Sequence, residues 1–430
     1  MIIRIENLGP IKKVDIDLSK PMIILTGLNG TGKTYVLYTL YAILRMFIYD
    51  KDILDWTSLV NSSKKKKVGI LDVDKLYKII QEHLRIINGL IGYTFGVGFE
   101  SELIQGAKIS LLTTKKELRK KLQSLEYEIR AEDSFVFQKK KNTLEYSLEN
   151  IGGGIDDISV VNYAVVKGML FDSISEDIEP SDRGGLSTFI NEIEKGIKQK
   201  QENRDLLSIG KEYRQPIAIS RFLVEMKSKL ENSSNVSKYS YLADDIENDI
   251  MHGHLSILNS GDVYYKRNGM KKEVPLSLSS SGVKTICSII FFLRNSVMDS
   301  NLIIIDEPEI NLHPKYQVLF ARVLAKIVNA GIRLIISTHS DYIIRELNNL
   351  IMLSSVKDEE AIKKLGYTKD QILSKEDVVP YYFEYQEKDN YVLGKEEVVT
   401  KTGFSISEID KVINSQVETS QNIYEILEEI

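Results

Sequence analysis

The sequence has few of the residues expected in an extracellular or membrane-spanning protein. It contains one cysteine, Cys287, in 430 residues, which excludes a disulfide framework and any cysteine-rich metal site. The most apolar long stretch, residues 35–49, is interrupted by Arg45 and is too short to span a bilayer comfortably. The first ten residues carry charge and lack the apolar core of a signal peptide. We therefore expect a cytoplasmic protein without a membrane partner.

The sequence also has no large excess of charge of either sign. The chain has 56 Lys and Arg against 61 Asp and Glu, a formal net charge of −5. This balance excludes a globally basic nucleic-acid-binding protein, although nucleic acid remains possible at a local basic face. The lysine run 64–67 could touch a phosphate backbone, but an exposed loop over 61–68 is the simpler prediction.

Apolar spacing predicts ordered elements at both ends of the chain. Alternation predicts strands at 1–6 and 14–18, joined by a turn at Gly9-Pro10, and the run 22–26 is typical of a strand buried on both faces. Other strands are predicted at 254–258, 263–266, 302–305 and 334–337, with a hairpin at 378–393. Helices are predicted at 33–49, 283–295, 314–329 and 406–430.

The middle of the chain has a different pattern. Its segments 115–132 and 139–149 are charged and helical in spacing. Segment 187–232 is another polar helical region, and the apolar residues that recur in it predict packing of helix on helix. No heptad pattern persists along them, so a long coiled coil is not expected. We interpret this middle part as strands and a helical insertion.

A glycine-rich segment, residues 27–34, matches the phosphate-binding pattern G-x-x-x-x-G-K-[ST]. Its glycines let backbone amides surround phosphate oxygens, Lys33 can neutralise the outer phosphates, and Thr34 can ligate magnesium. The segment lies between a predicted buried strand and a predicted helix, which favours a nucleotide site over a mere turn. The predicted nucleotide-binding residues here are Asn29, Gly30, Thr31, Gly32, Lys33 and Thr34.

An acidic pair, Asp306 and Glu307, follows the predicted buried strand 302–305. Ligands bind at the carboxyl ends of strands in open α/β sheets. We predict that Asp306 holds Mg²⁺, chiefly through its water shell, and that Glu307 orients or deprotonates the attacking water. Because buried strands often end in surface acids, this prediction depends on the phosphate-binding segment.

Two further segments could complete the site. Ser280, Ser281 and Gly282 form a small-residue turn that opens a predicted helix, where free amides can grip a phosphate; an ordinary serine N-cap is the alternative. His339 follows the buried strand 334–337 and could bond the γ-phosphate or the attacking water, whereas a lone histidine is more often structural. We predict Glu307 and His339 as the catalytic residues.

These four motifs, in this order, resemble the ATP-binding-cassette (ABC) ATPase head shared by SMC proteins, DNA-repair ATPases and OLD-like ATPases. The resemblance covers about 1–50 and 254–430. It implies an α/β P-loop NTPase head with a mixed β-sheet core and a helical insertion. The implied domains are 1–110, the N-terminal part of the head; 111–253, variable strands and a helical insertion; and 254–430, the C-terminal part of the head.

The resemblance also implies a homodimer or higher oligomer of heads that sandwiches ATP and Mg²⁺ between subunits. Each site would combine residues of one head with the signature segment of its partner: Lys33, Thr34, Asp306, Glu307 and His339 from the first, and Ser280, Ser281 and Gly282 from the second. Ser281 and Val283 depart from the usual signature, and the usual magnesium-contacting glutamine is not identifiable. Slow hydrolysis is therefore expected.

Residues 306–314, DEPEINLHP, are similar to the DEPE-x-x-LHP motif of OLD-like ATPases, many of which serve antiphage systems. Segments 6–11 and 178–183 also resemble that group. His313 is a candidate for the dimer face, with a structural turn role as the alternative. No HNH or Toprim pattern follows His339, so a nuclease effector is expected to be a separate protein.

The resemblance leaves the biological system open. A Septu-type arrangement with an HNH nuclease fits the sequence best, and PARIS-type and retron-linked ATPases remain as further candidates. The alternatives are a DNA-repair or chromosome-maintenance ATPase and an assembly scaffold that hydrolyses little ATP.

Overall fold

The computed structural model describes residues 1–45, 66–131, 135–150, 167–171, 175–188, 216–231, 237–258, 262–295, 301–386 and 389–428. The strands are β1 (Ile2–Leu8), β2 (Ile11–Asp17), β3 (Met22–Gly27), β4 (Lys66–Ile70), β5 (Lys108–Leu111), β6 (Tyr127–Ala131), β7 (Phe135–Lys139), β8 (Glu145–Asn150), β9 (Ser175–Glu179), β10 (Gly253–Ile257), β11 (Val263–Arg267), β12 (Val274–Pro275), β13 (Asn301–Asp306), β14 (Arg333–Thr338), β15 (Val378–Gln386) and β16 (Tyr391–Glu396). The helices are α1 (Lys33–Arg45), α2 (Val73–Gly89), α3 (Ile91–Phe95), α4 (Lys115–Ser124), α5 (Arg183–Thr188), α6 (Ile217–Glu231), α7 (Ser240–Ile246), α8 (Ser281–Asn295), α9 (Pro314–Asn329), α10 (Asp341–Leu353), α11 (Glu359–Lys364) and α12 (Ser407–Glu428).

A nine-stranded mixed sheet with the order β5-β1-β2-β16-β15-β3-β14-β13-β9 organises the chain. Strand β3 pairs in parallel with β14 and β15, and β13 pairs in parallel with β14 and β9. The register sets Thr26 opposite Thr338 and Asp306 opposite Ser337. The carboxyl ends of β3, β14 and β13 therefore lie side by side.

Continuous apolar strands produce the two cores of this sheet. Along β3, Ile23 and Leu25 belong to the core that contains the apolar face of α1, whereas Met22 and Ile24 belong to the core that contains α8, α9 and α10. A strand covered on both faces needs no polar alternation, which explains its unbroken apolar run. The predicted α/β class with a mixed sheet core is confirmed.

Several predicted elements in the middle of the chain are wrong. Strand β4 begins at Lys66, inside the predicted loop, and it pairs with β8 in a four-stranded antiparallel sheet. The predicted helix 115–132 ends at Ser124 and gives way to β6, and the predicted helix 139–149 is occupied by β8 and the end of β7.

The environment of Lys139 explains why the charged segment 139–149 was wrongly predicted to be a helix. Its side chain is 1% exposed, and its ammonium donates hydrogen bonds to the carbonyls of Leu125, Gln123 and Lys140. Two of those carbonyls lie at the end of α4, where a cation satisfies unpaired C=O groups and the helix dipole. Lys139, in a segment predicted to be a charged helix, is therefore a buried residue of β7 that caps the carboxyl end of α4.

The predicted domain boundaries stay a prediction. Strand β9 falls within the 111–253 segment, yet it pairs with β13 at the edge of the main sheet. The predicted helical region 187–232 coincides with α6 and the end of α5, and its residues 189–215 lie outside the described part of the chain, as do residues 46–49 of the first predicted helix. Over the described residues, no helix is long and apolar enough to cross a membrane.

Candidate active site

The phosphate-binding segment connects β3 to α1 through backbone that only glycine adopts readily. Gly27 has φ +139°, and a Cβ atom there would lie 2.6 Å from the carbonyl oxygen of Phe383. Gly32 has φ +88°, and α1 begins at the next residue. Asn29 and Gly30 are exposed, whereas Thr31 is buried and its hydroxyl donates to the Leu28 carbonyl at 2.8 Å. Residues 28–30 of the loop are therefore exposed in front of the helix.

Lys33 lies inside this loop. Its ammonium donates to the carbonyls of Gly27 at 2.9 Å and Leu28 at 2.8 Å, and the residue is 6% exposed. Burial lowers the pKa of Lys33, while the negative charges of Glu307, Asp306 and Glu309 oppose that shift. The cation is thus held where the loop and the acidic residues meet.

Thr34, in α1, is hydrogen-bonded to Asp306 at the end of β13. The Thr34 hydroxyl donates to the Asp306 carboxylate at 3.1 Å, and Ser337 also donates to that carboxylate. Burial raises the pKa of Asp306, whereas the hydrogen bonds from Ser337 and Thr34 lower it. A buried carboxylate beside a hydroxyl provides the hard oxygen ligands that Mg²⁺ prefers.

No cluster of three or more His, Cys, Asp or Glu side chains that could hold a metal occurs among the described residues. A magnesium ion would therefore depend on Thr34, Asp306 and the phosphates of the nucleotide. That division is typical of nucleotide sites, in which Mg²⁺ keeps few protein ligands. The residues present fit the predicted cofactor.

Glu307 and His339 lie together at the ends of β13 and β14. The His339 Nδ1 atom is 3.6 Å from Glu307 Oε1 and 3.4 Å from Glu309 Oε1. Glu309, which the sequence motif contained without a predicted role, is 5% exposed and accepts hydrogen bonds from the Thr338 hydroxyl and the His339 amide, each at 2.8 Å. Glu309 therefore fixes the backbone that carries His339.

The signature segment lies at the amino end of α8. Ser280 and Ser281 are exposed, and the Ser280 hydroxyl accepts the Val283 amide at 3.4 Å, as expected of a helix N-cap. In the described chain, the hydrogen bonds of Ser280 remain within this turn. The structure thus brings together Lys33, Thr34, Asp306, Glu307 and His339, whereas Ser280 and Ser281 are exposed and Gly282 is half-buried beside Asn311 and Leu312.

His313 has a structural contact in this chain. It is the N-cap residue of α9, and its Nδ1 atom accepts the Lys315 amide at 3.2 Å. Its ring also lies edge-on to Tyr316. These contacts favour the turn role for His313.

The burial of Glu179, at the end of β9, is expected to make the stability of the fold depend on pH. It is 2% exposed and accepts a hydrogen bond from Ser288, and burial raises its pKa from 4.5 to about 7. Because the folded-state pKa is raised, the protonated form stabilises the fold, and this stabilisation is lost as pH rises from about 4.5 to 7. The loss is about 3 kcal/mol.

Thermal unfolding from pH 5 to pH 8 measures this effect. The melting temperature of the wild-type chain should fall more over this range than that of Glu179→Gln, whose amide does not titrate. Identical pH profiles for the two chains would contradict the assignment to Glu179.

The glycine-rich loop between a parallel strand and a helix, with the Asp306 carboxylate beside Thr34, defines a P-loop nucleoside triphosphatase. A sequence profile described as the AAA ATPase domain matches residues 1–344, and the chain belongs to this family. It is therefore an ATPase and binds nucleotide. Comparison with curated protein sequences gives no match.

Three solved structures of SMC heads are similar at low identity. One is an SMC head bound to the C-winged helix domain of ScpA, at 11% identity over 93% of this chain and 98% of that chain, with a TM-score of 0.39. The SMC head domain from Thermotoga maritima has 10% identity over 92% and 97%, and a TM-score of 0.34. An SMC head with an extended coiled coil, bound to the C-terminal domain of ScpA derived from Pyrococcus furiosus, has 11% identity over 97% and 98%, and a TM-score of 0.36.

Proposed function

We propose that this ATPase binds ATP with Mg²⁺ in the cytoplasm and hydrolyses it slowly in a site completed by a second copy of the chain. The observation that carries this proposal is the meeting of Thr34, Asp306, Glu307 and His339 at one edge of the sheet. Thr34 lies in α1, Asp306 ends β13, and Glu307 and His339 lie in the loops that follow β13 and β14. Each type of side chain has a role in phosphoryl transfer.

The roles follow from position. Backbone amides of residues 29–34 and the Lys33 ammonium bind the phosphates, and Thr34 with Asp306 would hold magnesium. The metal neutralises charge that develops on the phosphate oxygens. Glu307, which is partly exposed at 29%, can accept a proton from water, and His339 beside it can donate a hydrogen bond to the γ-phosphate or to that water.

The exposed signature segment supports pairing of two heads. Ser280 precedes α8 and Ser281 begins it, and both residues are exposed at the helix N-terminus, where the first amides have no partner within the helix. A helix N-terminus binds phosphate well, because its free amides and dipole both favour negative charge. In a head-to-tail dimer this segment would contact ATP bound by the other subunit.

Sedimentation with and without ATP and Mg²⁺ tests this pairing. The variant Glu307→Gln should be trapped as an ATP-dependent dimer, because it binds ATP without consuming it. The double variant Glu307→Gln with Lys33→Ala is the matched control and should stay monomeric under the same conditions. A sedimentation coefficient of Glu307→Gln that does not respond to ATP would contradict pairing through nucleotide.

We further propose that the paired heads regulate a separate nuclease effector, of the HNH type, in antiphage defence. This part is supported by the similarity of residues 306–314 to the OLD-like motif. A DNA-repair or chromosome-maintenance ATPase is the alternative and is equally compatible with the family match. A scaffold that uses ATP only for assembly is a further alternative, although Glu307 is present for hydrolysis.

A phage challenge separates these functions. Cells carrying the chain with its neighbouring genes should survive infection better than cells carrying Lys33→Ala in the same cluster. Equal survival, combined with sensitivity of the Lys33→Ala strain to DNA damage, would contradict the defence role and favour the repair role. Protection that persists with Glu307→Gln would favour the scaffold.

A further inference from the structure

Arg183 is the largest fully buried side chain in the described residues, and the proposed reaction does not use it. Its exposure is 0%, and it lies at the start of α5, directly after β9. Its guanidinium donates to four backbone carbonyls: Thr285 at 3.1 Å, Pro180 at 3.2 Å, Asp306 at 2.8 Å and Glu307 at 3.1 Å. Four hydrogen bonds to backbone carbonyls fix both the position and the orientation of the guanidinium.

These partners belong to the two halves of the proposed composite site. Thr285 lies in α8, three residues after Gly282, and its hydroxyl accepts a hydrogen bond from Asn311 at 3.1 Å. Asp306 and Glu307 carry the magnesium and water roles proposed above. Arg183 therefore joins the first turns of the signature helix to the backbone that presents the catalytic carboxylate.

Glu307 needs such support because its backbone is strained. Its φ is +52°, a left-handed conformation that costs a non-glycine residue of order 1–3 kcal/mol unless its surroundings hold it. The Glu307 amide is held by the Ser337 carbonyl at 3.0 Å, and the Glu307 carbonyl is held by Arg183. Both sides of the strained residue are thus fixed by hydrogen bonds.

The buried charge of Arg183 is balanced from several sides. Burial lowers its pKa, while the negative charges of Glu179, Asp306, Glu309 and Glu307 oppose this shift. A lysine could keep the charge, but its single nitrogen cannot reach four carbonyls in the planar arrangement of a guanidinium. The substitution Arg183→Lys therefore keeps the positive charge and removes the hydrogen bonds to the four carbonyls, so it tests the geometry alone.

We propose that Arg183 is a positioning residue that locks the Glu307 backbone to the signature helix of the same chain. Contact of that helix with the partner's ATP would then be sensed at Glu307. This inference rests on the proposed composite site for its coupling, whereas the positioning of Glu307 by Arg183 stands within one chain.

Comparison of Arg183→Lys with Arg333→Lys tests the positioning. Arg333 is a matched control: it is 6% exposed and also donates to backbone carbonyls, those of Leu18, Lys20 and Phe171, but it lies at the amino end of β14, away from the site. Arg183→Lys should lower kcat about 10–100-fold, the cost of a catalytic group displaced by about 1 Å, with ATP affinity changed by less than about threefold. Arg333→Lys should keep kcat within about threefold of wild type.

The melting temperatures of both variants show whether the fold is retained. If Arg183→Lys keeps wild-type kcat, or if both variants lose kcat in proportion to their loss of melting temperature, the positioning role is wrong. If Arg183→Lys melts well below Arg333→Lys, kcat is read from Arg183→Lys at a temperature where it is fully folded.

Mixed dimers, purified through two different tags, test whether Arg183 acts on the Glu307 of its own chain. With Arg183→Lys and Lys33→Ala on different chains, the remaining site takes Glu307 from the chain that carries Arg183→Lys, and its turnover should be low. With both substitutions on one chain, the remaining site takes Glu307 from the unchanged chain, and its turnover should be higher. Equal turnover in the two arrangements would contradict the action of Arg183 on the Glu307 of its own chain, whereas full turnover by dilute, monomeric chains would contradict the shared site and leave that action intact.

Discussion

Replacing Glu307 with glutamine is expected to lower kcat about 10²–10⁴-fold while ATP binding is retained, because the amide keeps the shape of the side chain and loses the base. The carboxylate lies 3.6 Å from His339 Nδ1 and is partly exposed, so water can reach it. The affinity for ATP should change little, since Lys33, Thr34 and the loop amides are untouched.

The measurement is single-turnover hydrolysis together with equilibrium binding of ATP. Glu360→Gln, an exposed residue on α11, is the control for the same chemical change away from the site. A single-turnover rate of Glu307→Gln within a few-fold of wild type would assign the base to another residue.

Replacing Lys33 with alanine should remove ATP binding. The Lys33 ammonium donates to the Gly27 and Leu28 carbonyls, so its positive charge lies within the phosphate-binding loop. Charge-assisted hydrogen bonds to phosphate are among the strong ones, so their loss should reduce affinity by about 10²-fold or more.

Calorimetry with ATP and Mg²⁺ measures this loss. Lys20→Ala is the matched control, because Lys20 is only partly buried and lies near the amino end of β3, at the opposite end from the loop. Undiminished affinity of Lys33→Ala would contradict the phosphate-binding role of the loop, provided that the variant melts as a folded protein.

The sequence predicted the sheet core because burial there leaves a clear pattern. Strands β3, β13 and β14 each contain an unbroken apolar run. Helix α9 occupies the predicted residues 314–329 with Pro314 at its first position, where proline costs no hydrogen bond. The motif residues then follow from topology. Parallel strands end at one edge, so residues after β3, β13 and β14 meet.

Other features could not be predicted from local pattern, because their partners are distant in sequence. Lys139 lies in a charged segment that was predicted to be a helix, and its burial depends on contact with the end of α4. Strand β4 begins in a segment that was predicted to be a loop, and it forms by pairing with β8. The residues around Arg183 in the sequence do not indicate its burial, since its acceptors Thr285, Asp306 and Glu307 lie more than one hundred residues away. Only the resemblance of residues 178–183 to segments of OLD-like ATPases signalled this position.

The central claim is that each active site is shared by two chains. Its most direct test mixes Lys33→Ala with Ser281→Asp and measures hydrolysis. Ser281 is chosen over Gly282 because a Cβ atom at Gly282 would lie 3.2 Å from the Asn311 carbonyl oxygen, whereas Ser281 is exposed at the start of α8, where an acidic residue suits the helix dipole. Ser281→Asn is the uncharged control for size.

Each variant alone should be inactive, because Lys33→Ala cannot bind ATP and the Ser281→Asp carboxylate repels the γ-phosphate of the partner's ATP. In a mixed dimer one site carries both defects and the other carries neither. Random exchange makes half of the dimers mixed, so activity should return to roughly a quarter of wild type. Mixed dimers that form, bind ATP at one site and remain inactive would contradict the shared site.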